Sequence, residues 1–220
     1  MHISSLKKTL HKELYSILER SITDLRPCQE KAIKAGLLLG KNLLICSPTA
    51  SGKTLVAEIA CVESILSRGG KAIYIVPLTS LANEKFRDFK DRYDRHFKVA
   101  LSIGEIDSSD PYLEDYDFII TTSEKLDSLI RHSAPWLSKV RVIVADEVHL
   151  LNDPGRGPTL EILLTMVRQL LPKVQVIALS ATIGNENELA EWLDAELVKD
   201  RWRPVELKKG IYFDGKVEFK

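Results

Sequence analysis

Cysteine is scarce and spaced for neither bridging nor metal binding: Cys28, Cys46 and Cys61 are an odd number with no Cys-x-x-Cys pair. That arithmetic excludes a disulfide framework and a zinc site, and it suits a reducing cytoplasm. Long apolar runs are also lacking. Residues 1–8 contain no apolar signal core, and no later run reaches the length of a bilayer span, so a cytoplasmic chain with no membrane partner is expected. There is no surplus of charge either, since 31 Lys and Arg balance 31 Asp and Glu. A pervasive basic field for nucleic acid is therefore excluded, whereas binding through backbone amides and helix N-termini is not.

What is present is apolar substance, 45% of 220 residues. It is enough for one good-sized core and little more than one domain. Residues 1–24 carry Leu6, Leu10, Leu14, Ile17 and Leu18 at near-helical spacing, which predicts an amphipathic helix packed on that core. Pro27 opens a second helical stretch over 28–39 that is expected to stop at Gly40. Short β-rich runs then follow at 42–46, 72–76, 99–102, 118–121, 140–145 and 176–179, apolar throughout rather than alternating. Helical patterns separate them at 53–66, 81–93, 124–131, 159–171 and 186–193. Alternation of this kind predicts an α/β fold, a mostly parallel sheet with helices on both faces. Residues 204–220, beyond Arg203, hold at most a short strand and are expected to be a linker.

The segment Leu43-Leu44-Ile45-Cys46-Ser47-Pro48-Thr49-Ala50-Ser51-Gly52-Lys53-Thr54 reads as buried strand, loop of small residues and helix start. Polyphosphate needs that order. Successive amides and the helix N-terminus face the anion, Lys53 reaches the terminal phosphates, and Thr54 offers a hydroxyl to Mg²⁺. Pro48, Thr49, Ala50, Ser51, Gly52, Lys53 and Thr54 are thus the expected ATP-binding loop. Ser47 stands where the general pattern has its first Gly.

Val140-Arg141-Val142-Ile143-Val144-Ala145 runs into Asp146-Glu147-Val148-His149. The two carboxylates fall at the C-terminal end of a buried strand, where open α/β sheets bind ligands. Asp146 is the expected Mg²⁺ ligand, and Glu147 the group that positions and deprotonates the attacking water. A further strand ends in Ser180-Ala181-Thr182, whose hydroxyls could bond His149 or the acidic pair and couple the site to the rest of the domain. A helix N-cap accounts for the same three residues.

In order, these residues resemble the DExH-box helicases of superfamily two, with most similarity to the archaeal Hjm-type fork helicases of the Ski-like branch. The likeness runs over about 22–213. Leu25-Arg26-Pro27-Cys28-Gln29 resembles the adenine-reading Q motif, with Gln29 contacting the base; the phosphate loop resembles motif I, Asp-Glu-Val-His motif II, and Ser-Ala-Thr motif III. The resemblance implies a RecA-like P-loop NTPase domain over 25–203 that uses ATP and Mg²⁺, with catalytic Lys53, Asp146 and Glu147 and coupling through His149, Ser180 and Thr182. Pro77-Leu78-Thr79 and Thr121-Thr122 with Lys125 are similar to motifs Ia and Ib, which in the family line the track of one nucleic-acid strand. Taken alone, either is better explained by helix capping by Ser and Thr. The implied partners are single-stranded or forked DNA and a second RecA-like domain, with 3′ to 5′ movement and poor hydrolysis by the first domain alone. An RNA helicase of the same branch, a non-hydrolysing ATP-binding module and a small-molecule kinase remain as alternatives.

Overall fold

The computed structural model describes residues 1–104, 109–206, 208 and 210–219. Its centre is a seven-stranded sheet of β1 (Leu43–Cys46), β2 (Lys71–Val76), β3 (Val99–Ser102), β4 (Phe118–Thr122), β5 (Val140–Ala145), β6 (Gln175–Ser180) and β7 (Glu196–Lys199). The order is β3-β4-β2-β5-β6-β1-β7, and every neighbouring pair is parallel. The central strands are buried on both faces, as their unbroken apolar runs require.

Alternate strand residues feed opposite cores. Leu43, Ile45, Tyr74, Val76, Ile120 and Val144 pack under α1 (Lys12–Glu19), α2 (Pro27–Lys34), α3 (Lys53–Arg68) and α4 (Thr79–Tyr93). Ile73, Ile75, Ile119, Ile143 and Val176 face α5 (Ser123–Arg131) and α6 (Gly157–Leu170), while Leu44, Cys46 and Ala178 meet α6 and α7 (Glu186–Trp192). The result is the predicted three-layer α/β architecture.

Besides β7, which the apolar runs do not predict, three elements differ from the sequence reading. The N-terminal segment is not one helix but a 3₁₀ turn, Ile3–Leu6, followed by α1. His11 breaks it: its ring accepts from the Glu13 amide, and its own N–H donates to Glu63 Oε2 at 2.8 Å, fixing a cap where a continuous helix would run. Leu6, Leu10, Leu14 and Leu18 are nonetheless all buried, each stabilising the fold by roughly 1.5–3 kcal/mol. The expected helix over 28–39 also breaks, at Gly36, whose φ of +106° starts a 3₁₀ turn over Leu37–Leu39. Within 204–220, expected as a linker, β8 (Gly210–Phe213) and β9 (Lys216–Phe219) form an exposed antiparallel hairpin.

Candidate nucleotide site

Three strand ends meet at the C-terminal edge of the sheet. β6 lies between β5 and β1, so Ser180, the Asp146-Glu147 pair and the loop over 47–52 are neighbours. The Ser47 amide donates to the Ser180 carbonyl at 3.2 Å, and the Ser47 and Ser51 hydroxyls lie 2.7 Å apart. Ala50 and Gly52 take φ of +65° and +99°. That left-handed backbone turns the loop around the N-terminus of α3, which has no side-chain cap, and leaves its first amides open to an anion.

Lys53 folds back over the loop. Its Nζ donates to the carbonyls of Ser47 at 2.7 Å and Pro48 at 3.1 Å. Burial lowers its pKa, while the nearby charges of Glu147 and Asp146 oppose that shift. A largely dehydrated cation facing two carboxylates is what a negatively charged ligand would find here.

The loop is braced from α2. Gln29 Oε1 accepts from the Arg26 amide at 2.8 Å, and its Nε2 donates to the Gly52 carbonyl at 3.1 Å. A Cβ on Gly52 would stand 2.3 Å from that nitrogen. Gln29 is therefore a brace of the loop over 47–52. Arg26 Nη1 donates to the Ala50 carbonyl at 2.6 Å, and its guanidinium lies 5.7 Å from the centre of the Trp202 ring. The Cys28 thiol donates to the Ser51 carbonyl.

On the facing side, Asp146 extends the ladder through its amide to the Ile75 carbonyl. Its Oδ1 accepts from the Glu147 amide at 2.9 Å and its Oδ2 from the Tyr74 hydroxyl at 2.8 Å. Glu147 has φ of +54°, a conformation that costs a side-chain-bearing residue of order 1–3 kcal/mol and recurs at functional sites. His149 Nδ1 stands 3.2 Å from Glu147 Oε2 and 3.5 Å from the Ala181 amide. The contact from β6 to His149 thus comes from a backbone amide, where the sequence reading expected the hydroxyls of Ser180 and Thr182. Ser180 Oγ is buried near the Cys46 thiol with no oxygen or nitrogen partner, and Thr182 is exposed.

A cleft of about 350 Å³ joins the two sides, lined by Thr49, Ala50, Gly52, Lys53 and Thr54 opposite Asp146 and Glu147, with Arg26, Lys85 and Pro204 at its rim. Arg26, Tyr74 and Lys85 were not singled out from sequence. Tyr74 had a signal: a phenol inside an otherwise apolar buried strand must find a partner for its hydroxyl.

The expected nucleic-acid residues divide. Pro77 is half-buried, and Leu78 and Thr79 are exposed at the start of α4. Thr121 is fully buried and donates to the Ser102 carbonyl, and the Thr122 side chain caps α5 by accepting from the Lys125 amide. Lys125, expected on the nucleic-acid track, is instead buried, with Nζ 3.0 Å from Asp110 Oδ2. A solvent-facing phosphate does not reach it in this arrangement.

No three His, Cys, Asp or Glu side chains converge as a metal cage among the described residues. The donor set instead suits Mg²⁺, which commonly takes one or two protein ligands and completes its shell with water and phosphate. No helix among the described residues is long and apolar enough to cross a membrane.

Comparisons with known proteins bear on the family of the chain and on its fold. The ATP-dependent DNA helicase Hel308 of Pyrococcus horikoshii is 52% identical over 197 residues, covering 90% of this chain and 27% of the relative. The protein of the same name from Thermococcus kodakarensis is 54% identical over 201 residues, covering 91% and 18%. That from Methanocaldococcus jannaschii is 52% identical over 217 residues, covering 96% and 18%. The chain therefore spans about a quarter or less of the length of these relatives. The crystal structure of the DUF1998 helicase MrfA bound to DNA superposes with a TM-score of 0.75 over 87% of this chain and 30% of that one, at 24% identity, and establishes the likeness of fold. The DEAD/DEAH box helicase profile matches residues 26–190, most of the chain, and the chain belongs to that family.

Proposed function

We propose that this chain is the ATP-binding first motor domain of an ATP-dependent DNA helicase or translocase that moves 3′ to 5′ along single-stranded or forked DNA. The observation that carries the reading is the cleft itself, where Lys53 and the open N-terminus of α3 face Asp146 and Glu147 across about 350 Å³. The Hel308 relatives favour DNA over RNA. In this assignment residues 1–24 buttress the core, 25–203 form the RecA-like domain, and 204–220 lead toward a second RecA-like domain that supplies the opposite wall of the site. The chain works in the cytoplasm.

The α3 amides and Lys53 would hold the β- and γ-phosphates, and Thr54 and Asp146 would hold Mg²⁺. When bound, that ion neutralises charge developing on the phosphate oxygens. Glu147, kept in place by His149, orients a water against the γ-phosphorus and accepts its proton. The Ala181 amide lies next to His149 and offers a route by which occupancy of the site reaches β6. Arginine fingers contribute on the order of a thousandfold or more to hydrolysis, so turnover by this domain alone is slow.

The test is Glu147→Gln. It should retain Mg²⁺-dependent ATP binding and lower DNA-stimulated turnover of the full-length enzyme by about a hundredfold or more. Unchanged turnover would remove Glu147 from the chemistry, and equal unwinding of matched DNA and RNA tracks would undo the DNA assignment.

A further inference from the structure

β2 contributes one polar side chain to the interior of the molecule near the cleft, and packing alone does not explain it. The Tyr74 ring is fully buried, level with Ile120 of β4 and Val144 of β5, and lies 5.6 Å from the Phe89 ring. A phenylalanine would fill the same space without the need to satisfy a buried hydroxyl. The hydroxyl is satisfied at one place, Asp146 Oδ2, at 2.8 Å.

We propose that Tyr74 is a positioning residue for the metal site, its hydroxyl holding the Asp146 carboxylate aimed before Mg²⁺ arrives. This rests on the reading of the cleft as an Mg²⁺-ATP site. With Oδ1 on the Glu147 amide and Oδ2 on Tyr74, the carboxylate has no free rotation about its last bond. Each oxygen keeps a second lone-pair direction for water or metal. Partners of this kind behind metal-binding carboxylates set ligand orientation, and their loss typically weakens metal affinity by about ten- to a hundredfold.

Tyr74→Phe removes one oxygen and leaves the ring packing in place. Binding of a fluorescent ATP analogue to the whole chain should be titrated with Mg²⁺ and repeated in EDTA, alongside thermal melts. The expected result is a Mg²⁺ midpoint raised about tenfold or more, with unchanged metal-free binding and nearly unchanged melting. A wild-type midpoint in the variant would overturn the proposal, as would equal losses with and without Mg²⁺ or failure of the variant to fold, since these make the hydroxyl a purely structural group. A wild-type chain that binds the analogue with no dependence on Mg²⁺ would instead overturn the reading of the cleft on which the proposal stands.

Discussion

The junctions after β1 and β5 can be set against those after β2 and β4. All four lie at the same edge of one sheet, and three of them lead directly into an α-helix. After β1 and β5 the backbone enters the left-handed region at Ala50, Gly52 and Glu147, and Lys53, Thr54, Asp146 and Glu147 line a cleft. After β2 and β4 it is ordinary, with Leu78 and Thr122 extended, and the polar groups of the β4 junction are spent inside: Thr121 on Ser102, Thr122 on the α5 cap, Lys125 on Asp110. Left-handed backbone is found where side chains line the cleft, and satisfied extended geometry where they hold the fold. Likeness to a motif does not separate the two cases, but backbone conformation and burial do.

That contrast can be broken at several points. Lys125→Met should have the largest effect on stability, because it leaves the Asp110 carboxylate buried without its cation: about 3–5 kcal/mol in urea unfolding. A small loss of stability together with weakened single-strand binding would move Lys125 to the outward-facing class. Gly52→Ala forces a side chain into φ of +99° at roughly 1–2 kcal/mol and pushes on Gln29, so ATP affinity should fall about tenfold by calorimetry. Intact affinity would mean that the loop conformation is not what binds. Thr122→Ala should cost about 1 kcal/mol, the value of a helix cap, with DNA binding unaltered. Thr79→Ala, exposed at the start of α4, should change stability by less than about 0.5 kcal/mol and weaken single-strand binding in an anisotropy titration. A stability loss without a binding loss would make the β2 junction purely structural as well.

The sequence revealed most where one physical demand dominates. Strands buried on both faces must be apolar throughout, so β1 to β6 could be read from composition. A polyphosphate loop needs small residues, a lysine and a helix start in fixed order, so Ser47 to Thr54 could be read from spacing. β7 could not: an edge strand of Glu196-Leu197-Val198-Lys199 with charged, exposed ends lacks the signature of its neighbours. The break before α1 depends on Glu63, 52 residues away, receiving the His11 amide, and no local pattern encodes such a partner. The burial of Lys125 is hidden from sequence for the same reason, because it depends on Asp110 beyond β3 rather than on its place after Thr121-Thr122.

The strand order also bears on how the chain matures during synthesis. β1 is made first, yet its two neighbours in the sheet are β6 and β7, the last strands of that sheet to emerge. The Ser47 amide waits for Ser180, so a nascent chain released only as far as Glu147 has the β2 partners of Asp146 but carries the loop over 47–52 without its seat on β6. Such long-range pairing slows folding and exposes apolar edges while it is incomplete. Under the proposed function, a nucleotide that binds the folded cleft adds its stabilisation once β6 is in place, as a seal on the last step of assembly.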